Sequence, residues 1–171
     1  MDVQRRSTVV EMTPINPTTD WVGLEVGNMV EELGLHAGQF LHVACGEGNL
    51  LRRPISVCDW DEAGLTIIYK VVGHGTAAMA AMAPGQALDV LAGLGNGFDV
   101  GKCGQRTLVI GGGAGVPPMY GLAKALLAAG KTPVAILGFN TRSEIFYEER
   151  FKALGVETTV KIIRNIEARV A

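Results

Sequence analysis

The segment Arg53-Pro54-Ile55-Ser56 combines residue types that together can hold a nucleotide. An arginine guanidinium presents a planar fork of donors that matches phosphate oxygens, and Pro54 restricts the backbone beside it. Ser56 adds a hydroxyl and an amide that can meet the polar edge of a ring. These groups suit a flavin nucleotide, although an exposed arginine at the start of a strand explains the four residues equally well.

A second group of candidates follows in the segment 68–76. Ile68, Tyr69 and Lys70 fall in a predicted strand, and Gly75 and Thr76 then open a short predicted helix. Amides at a helix N-terminus can hold a phosphate, so Gly75 and Thr76 are candidate phosphate contacts. Tyr69 has two interpretations of equal weight: it stacks on an adenine or flavin ring, or it is a core tyrosine whose hydroxyl has a partner.

Two glycine-rich loops complete the candidate set. Around Gly95 and Asn96 the run Gly93-Leu94-Gly95-Asn96-Gly97 allows a backbone to approach a flat ligand, or forms a simple hinge. The run Gly111-Gly112-Gly113-Ala114-Gly115-Val116-Pro117-Pro118 is close to the Rossmann fingerprint, and the candidates in it are Gly113, Gly115 and Pro118. A flavin segment followed by a dinucleotide loop predicts a chain that passes electrons between two cofactors. No catalytic acid or base is predicted, because the cofactors carry such a reaction.

The first hundred residues read as β-structure. Between Ser7 and Val100, six short β-rich runs are separated by turn residues, which predicts an antiparallel barrel or a sandwich. Thr76–Ala83 is alanine-rich and predicts one or two turns of helix among the strands.

After residues 101–106 the pattern changes to strand alternating with helix, which predicts a parallel sheet. Two strands and two helices are predicted there: strands Thr107–Ile110 and Pro133–Phe139, a helix Pro117–Ala129, and a helix opened by a Thr141/Glu144 capping box and ended by Gly155. The segment Gly138-Phe139-Asn140 ends the second strand on the side where such sheets bind ligands. We therefore predict two domains, residues 1–101 and a short, apparently truncated α/β domain at 102–171.

The composition excludes several function classes. The chain has 171 residues, a formal charge of −2 and three cysteines. The absence of a basic excess argues against nucleic acid or a membrane as a partner. The first residues lack the apolar core of a signal peptide, so we expect a cytoplasmic protein, and the cysteines and histidines lack metal-site spacing, so no metal ligand is predicted.

Five segments, in order, are similar to one known family: LLRRPISVCDWD, LTIIYKVVGHGT, LDVLAGLGNGFD, LVIGGGAGVPPMYGLAKAL and AILGFNTRSEIFYEERFKALG. They resemble the electron transfer subunit of class 1B dihydroorotate dehydrogenase, in the ferredoxin reductase superfamily. The resemblance implies a six-stranded antiparallel, flavin-binding β-barrel followed by a partial α/β Rossmann-like nucleotide-binding domain. It places FAD on Arg53, Pro54, Ile55, Ser56, Ile68, Tyr69, Lys70, Gly75 and Thr76, and NADH near Gly113, Gly115 and Pro118.

The same resemblance implies a function in pyrimidine biosynthesis. The expected activity is that of an FAD-dependent, NADH-oxidising oxidoreductase subunit, which sends electrons through a [2Fe-2S] cluster to an FMN-containing dihydroorotate dehydrogenase catalytic subunit in a hetero-oligomer. The cysteine ligands that hold this cluster in the family are absent from the sequence. Two alternatives stay open: a non-catalytic flavin-binding or assembly module, and a related subunit of an NADPH-ferredoxin transhydrogenase or sulfide dehydrogenase.

Overall fold

The computed structural model describes residues 4–15, 21–27, 34–46, 51–62 and 64–163. The first half contains six strands and one short helix. Their bounds are β1 Gln4–Pro14, β2 Trp21–Gly27, β3 Phe40–Val43, β4 Arg53–Trp60, β5 Gly64–Lys70, α1 His74–Ala80 and β6 Ala87–Leu94. Each strand overlaps one of the predicted β-rich runs.

The strands pair antiparallel in the order β1-β2-β5-β4-β3-β6, and β6 pairs with β1 to close a barrel. Register shifts between Val57 and Asp59 in β4, and at two other strand pairs, increase the bending that closure needs. Alternation along β5 explains its two faces: Leu65, Ile67 and Tyr69 point into the barrel core, while Ile68 joins the core of the second half.

The second half is a three-stranded parallel sheet in the order β7-β8-β9, with helices between the strands. The bounds are β7 Arg106–Gly112, α2 Val116–Ala128, β8 Thr132–Phe139, α3 Glu148–Ala153 and β9 Glu157–Ile162, with 3-10 turns at Val100–Lys102, Gly113–Gly115 and Arg142–Glu144. Val109, Leu126 and Phe151 pack in its core. The prediction of antiparallel strands followed by a parallel α/β sheet is confirmed.

The two halves are in direct contact through β4 and α2. A Cβ at Gly121 of α2 would lie 2.8 Å from the Cys58 carbonyl oxygen, so the absence of a side chain lets the helix lie on the strand. The Lys124 ammonium pairs with the Asp59 carboxylate beside this contact. The sheet is therefore held at one side of the barrel by β4.

Two predicted boundaries differ from the observed ones. Helix α1 begins at His74, two residues before Thr76, because the Thr76 hydroxyl accepts hydrogen bonds from the amides of Val72 and Gly73 and so acts inside the first turn. The prediction of a capping box at Thr141/Glu144 is wrong. Only a 3-10 turn forms there, the Thr141 side chain does not cap it, and the Glu144 carboxylate pairs with Lys70 instead.

The predicted division at residues 101 and 102 falls in the segment that connects β6 to β7. The sequence VKIIRNIEARVA near the end of the chain also allows a third strand, and its first residues fall in β9; residues beyond 163 lie outside the described residues. Among the helices that the structure describes, none has the length and apolar character needed to cross a membrane.

Candidate functional site

A cavity of about 680 Å³ lies between the barrel and the sheet. One wall comes from the barrel half: Arg53, Pro54, Ile55, Ser56, Ile68, Tyr69, Lys70, Val72 and Thr76. The other comes from the sheet half: Gly112, Gly113, Ala114, Gly138, Phe139, Asn140, Glu144 and Ile163. The two predicted ligand regions therefore face one space.

Arg53 is the first residue of β4 and places its guanidinium at the cavity. Its Nη1 donates a hydrogen bond to the Leu51 carbonyl at 2.6 Å, and no carboxylate among the described residues pairs with it. A Cβ on Gly75 would lie 3.0 Å from the Arg53 Nε, so glycine in α1 makes room for the guanidinium. The side chain thus keeps donors and a charge for an anion.

The preceding residue, Arg52, has a different role. Its Nη2 pairs with the Asp89 carboxylate at 3.0 Å, and its Nη1 donates to the carbonyls of His42 and Asp89. Arg52 does not line the cavity. Two adjacent arginines therefore divide into one that ties strands together and one that faces the cavity.

Tyr69 lines the cavity and is only 3% exposed. Its hydroxyl is buried and has no hydrogen-bond partner within the part of the chain that the structure describes. Burial, and then the nearby Cys45 thiol, raise the pKa of Tyr69, so the hydroxyl stays protonated and remains a donor. Because buried hydroxyls are nearly always paired, this donor calls for a partner other than the described residues.

The sheet wall is formed by backbone at the carboxyl ends of β7 and β8, where open α/β sheets bind ligands. A Cβ on Gly111 would lie 2.6 Å from the Gly115 carbonyl oxygen, so the chain can turn at once from β7 toward α2 only with glycine there. Gly113 has φ +49°, a value that also favours glycine. At Gly112 and Gly113 the wall therefore presents backbone without side chains to a ligand.

One ion pair crosses the cavity from wall to wall. The Lys70 ammonium at the end of β5 lies 3.3 Å from the Glu144 carboxylate in the turn after β8. Both residues line the cavity. The pair partly cancels the charge that Lys70 brings to the site.

Nine of the fourteen predicted site residues line the cavity: Arg53, Pro54, Ile55, Ser56, Ile68, Tyr69, Lys70, Thr76 and Gly113. Gly75 lies beneath the Arg53 side chain. Gly115 ends the 3-10 turn and Pro118 lies in the first turn of α2, and neither lines the cavity. The Gly115 carbonyl oxygen lies close to Gly111 and leaves no room there for a side chain.

The loop around Gly95 and Asn96 is also outside the cavity lining. The Gln39 amide nitrogen donates to the Gly95 carbonyl at 3.1 Å, and the Phe98 amide donates to the Ala37 carbonyl at 2.7 Å. The glycines therefore serve close packing against residues 36–39, which is the structural alternative to ligand contact.

Eight cavity residues are not among the fourteen predicted site residues: Val72, Gly112, Ala114, Gly138, Phe139, Asn140, Glu144 and Ile163. The segment Gly138-Phe139-Asn140 is predicted only to end a strand on the ligand-binding side of the sheet. Gly112 and Ala114 stand inside the glycine motif, so the motif itself was the available signal. Glu144 was assigned to a helix cap, and Ile163 has no local signal. The described residues contain no cluster of three or more metal-ligating side chains.

Comparison with solved structures places this architecture among ferredoxin reductase-like proteins. The NADH-dependent reduced ferredoxin-NADP oxidoreductase aligns with a TM-score of 0.78 and 25% identity, covering 90% of this chain and 55% of the other. Phthalate dioxygenase reductase, described as transferring electrons from pyridine nucleotides to [2Fe-2S], aligns with a TM-score of 0.79 and 18% identity, covering 99% and 55%. The chain therefore has the ferredoxin reductase-like fold.

Proteins with similar sequences identify a narrower family within the ferredoxin reductase-like fold. The dihydroorotate dehydrogenase B (NAD(+)) electron transfer subunits of Bacillus caldolyticus and Bacillus mycoides are 47% and 44% identical over 135 residues, which is 75% of this chain and 52% of each relative. No family model matches the chain. Over the matched residues the chain is a homologue of these subunits, which confirms the resemblance noted in the sequence, and it spans about half their length.

Proposed function

We propose that this chain binds FAD in the cavity and oxidises NADH there, as the electron transfer subunit of a dihydroorotate dehydrogenase. The observation that carries the proposal is that two residues with unused polar groups, Arg53 and Tyr69, line one cavity. Arg53 has no carboxylate partner among the described residues, and the buried Tyr69 hydroxyl has no partner there. A flavin dinucleotide supplies both phosphate oxygens for a guanidinium and polar ring atoms for a hydroxyl.

The residues on the barrel wall fit FAD in chemistry as well as in place. Arg53 would hold the pyrophosphate, while Pro54, Ile55 and Ser56 run alongside in β4 with backbone and hydroxyl groups for the ring. Thr76 is already bonded within its own turn, so we assign it to shaping α1 beside Arg53. In this proposal the segments 53–56 and 68–70 form the FAD site of a barrel domain, residues 1–101.

The sheet wall fits the nicotinamide dinucleotide. Gly112 and Gly113 leave the surface at the end of β7 without side chains, so a flat ring can approach the backbone there. Gly115 and Pro118, in the turn and first helical residues behind this wall, would support its shape. We propose that residues 102–171 contribute the nucleotide half of the site.

Bound FAD supplies the redox chemistry, because it accepts a hydride from NADH and releases electrons singly or in pairs. The residues of the chain need only bind the two cofactors and orient them relative to each other. Arg53 would neutralise phosphate charge, the Tyr69 hydroxyl would be available to a polar ring atom, and the backbone at Gly112 and Gly113 would allow close approach of the second cofactor. Such positioning supplies the proximity that hydride transfer requires.

The names of the relatives support a partner that uses these electrons. We propose a dihydroorotate-oxidising catalytic subunit as that partner, in a hetero-oligomer that serves pyrimidine biosynthesis. No step through an iron–sulfur cluster is assigned to this chain, since its sequence holds three cysteines and two of them, Cys45 and Cys58, are buried.

An anaerobic spectroscopic experiment tests the proposal. The purified protein is reconstituted with FAD, and absorbance near 450 nm is followed after NADH and, separately, NADPH are added. We expect bound flavin and bleaching that is faster with NADH. Failure to bind FAD would contradict the proposal as a whole.

The same experiment separates the two alternatives. FAD that binds but stays oxidised with both nicotinamides would identify a non-catalytic flavin-binding module. Faster bleaching with NADPH would favour a transhydrogenase-type subunit, an alternative that the 25% identity to the NADH-dependent reduced ferredoxin-NADP oxidoreductase keeps relevant.

A further inference from the structure

Ion pairs join the barrel half to the sheet half at two places in the part of the chain that the structure describes. The Lys124 ammonium pairs with the Asp59 carboxylate beside the contact of α2 with β4, and neither residue lines the cavity. The Lys70 ammonium lies 3.3 Å from the Glu144 carboxylate, and both of these residues line the cavity. Of the two pairs, only the second therefore has charges that a ligand in the cavity can reach.

Glu144 differs in charge from the other ionisable side chains of the cavity. Among the described residues that line the cavity, Arg53 and Lys70 are basic, and Glu144 is the only acidic one. Its side chain is 19% exposed, and its amide donates to the Thr141 carbonyl at 3.3 Å, which closes the turn that carries it. A carboxylate at this place lowers the positive charge that two basic residues bring to a site for phosphates.

The ion pair between Lys70 and Glu144 is of a kind that a phosphate can replace. The Lys70 side chain is 39% exposed, and pairs with such access to water contribute little to stability. A phosphate offers an ammonium several anionic oxygens, and hydrogen bonds between two ionised groups are stronger than neutral ones. A phosphate-bearing ligand in the cavity therefore competes with Glu144 for Lys70.

We infer that Glu144 is a specificity-determining residue, whose carboxylate holds the Lys70 ammonium until a ligand phosphate replaces it. Ligands that offer only phosphate then bind more weakly than the two basic residues would otherwise allow, which favours ligands that also contact the walls through a ring. The same replacement releases one of the contacts between the halves. The inference rests on the proposed function for its class of ligand, a nucleotide that carries a diphosphate.

ADP is the probe, because FAD and NADH both contain it, and adenosine is its counterpart without phosphate. Isothermal titration calorimetry measures the binding of each to the full chain and to Glu144→Gln, Lys70→Met and their double variant. Asp59→Asn is the matched control, because it removes a carboxylate from the other ion pair between the halves, outside the cavity.

We expect Glu144→Gln to bind ADP roughly 3- to 10-fold more tightly at low ionic strength, and Lys70→Met to bind it more weakly by a similar factor. The gain should shrink at high salt, because mobile ions screen the charges. It should disappear in the double variant, which has no ammonium to release. Adenosine binding should stay the same in Glu144→Gln, and ADP binding should stay the same in Asp59→Asn.

A gain is the informative sign, because damage to the fold would lower the affinity for ADP. Equal ADP affinities for Glu144→Gln and Asp59→Asn would overturn the inference. A gain of the same size in the Lys70→Met background would also overturn it, since Glu144 would then act by repelling phosphate directly. No ADP binding in any of these chains would overturn it as well.

The titrations also separate this inference from the proposed function. If the unaltered chain binds no FAD but the ADP affinities follow the expected order, the proposed function fails and the role of Glu144 stands. If FAD binds and Glu144→Gln brings no gain for ADP, the role of Glu144 is overturned and the proposed function stands.

Discussion

The two walls of the cavity recognise a ligand by opposite means. The barrel wall offers side chains such as those of Arg53 and Lys70, whereas the part of the sheet wall at Gly112 and Gly113 is backbone without side chains. A wall of side chains is weakened when a group is deleted. A wall of backbone is weakened when a group is added, so the two walls should respond to opposite kinds of substitution.

The largest expected effect tests the sheet wall. Gly111→Ala places a Cβ 2.6 Å from the Gly115 carbonyl oxygen and 3.0 Å from Met119 Cγ, so the turn into α2 must shift. We expect a loss of about 2–3 kcal/mol in the free energy of unfolding, measured by urea denaturation.

Gly112→Ala is its control, because the nearest atom to the new Cβ is the Gly138 carbonyl oxygen at 3.8 Å. Its stability should stay within about 0.5 kcal/mol of the unaltered chain, while nicotinamide binding falls because Gly112 lines the cavity. If the two alanine variants lose equal stability, Gly111 and Gly112 do not differ as described, one needed for the turn and the other only for the cavity surface.

The next effect tests the barrel wall through its adjacent arginines. Arg53→Ala should weaken FAD binding by roughly 10- to 100-fold, since a charge-assisted hydrogen bond contributes about 1.5–3 kcal/mol. Arg52→Ala should instead lower stability by about 1 kcal/mol through loss of its bonds to Asp89 and His42, with little effect on FAD. Isothermal titration calorimetry measures FAD binding and denaturation measures stability in both variants. Weaker FAD binding in Arg52→Ala than in Arg53→Ala would contradict the assignment of these roles.

Tyr69→Phe is informative because it should affect stability and FAD affinity in opposite directions. Without ligand, removal of an unpaired buried hydroxyl should leave stability unchanged or raise it by up to about 1 kcal/mol. With ligand, FAD affinity should fall by about 2- to 10-fold because one hydrogen bond is lost. A clear loss of stability in the ligand-free variant would show that the hydroxyl already has a partner.

The last prediction concerns alkaline pH and the contact between the halves. Burial raises the pKa of Cys58 from 9.0 to about 12, so its contribution is fully present below pH 9 and is lost as pH rises through the folded value. Between these limits the unfolding free energy should fall by about 1.4 kcal/mol per pH unit for this proton. Cys58→Ala should flatten that slope in denaturation curves at pH 8–10.5, and an unchanged slope would contradict the assignment to Cys58.

Much of the architecture is predictable because its signals are local. The β-rich runs, the glycine motif after β7 and the segment Arg53–Ser56 each carry their own pattern, and Tyr69 and Lys70 share the cavity because a strand end places them there. Long-range partners have no such pattern. Nothing near Glu144 indicates its ion pair with Lys70, 74 residues away.

The loop around Gly95 shows a second limit. Its glycines satisfy the rule for close backbone approach, and in the structure the groups that approach belong to the protein itself, at Ala37 and Gln39. A run of glycines indicates that some group approaches the backbone closely, but it does not indicate whether that group belongs to the protein or to a ligand. The same ambiguity explains why Gly113 lines the cavity while Gly115 supports the turn behind it.

Equilibrium titration of FAD into the full chain and its two arginine variants tests the central claim most directly. The account predicts one FAD bound per chain, with binding weakened at least tenfold by Arg53→Ala and retained by Arg52→Ala. If the unaltered chain binds no FAD, or if the two alanine variants bind it equally, Arg53 does not anchor a flavin dinucleotide and the account is contradicted.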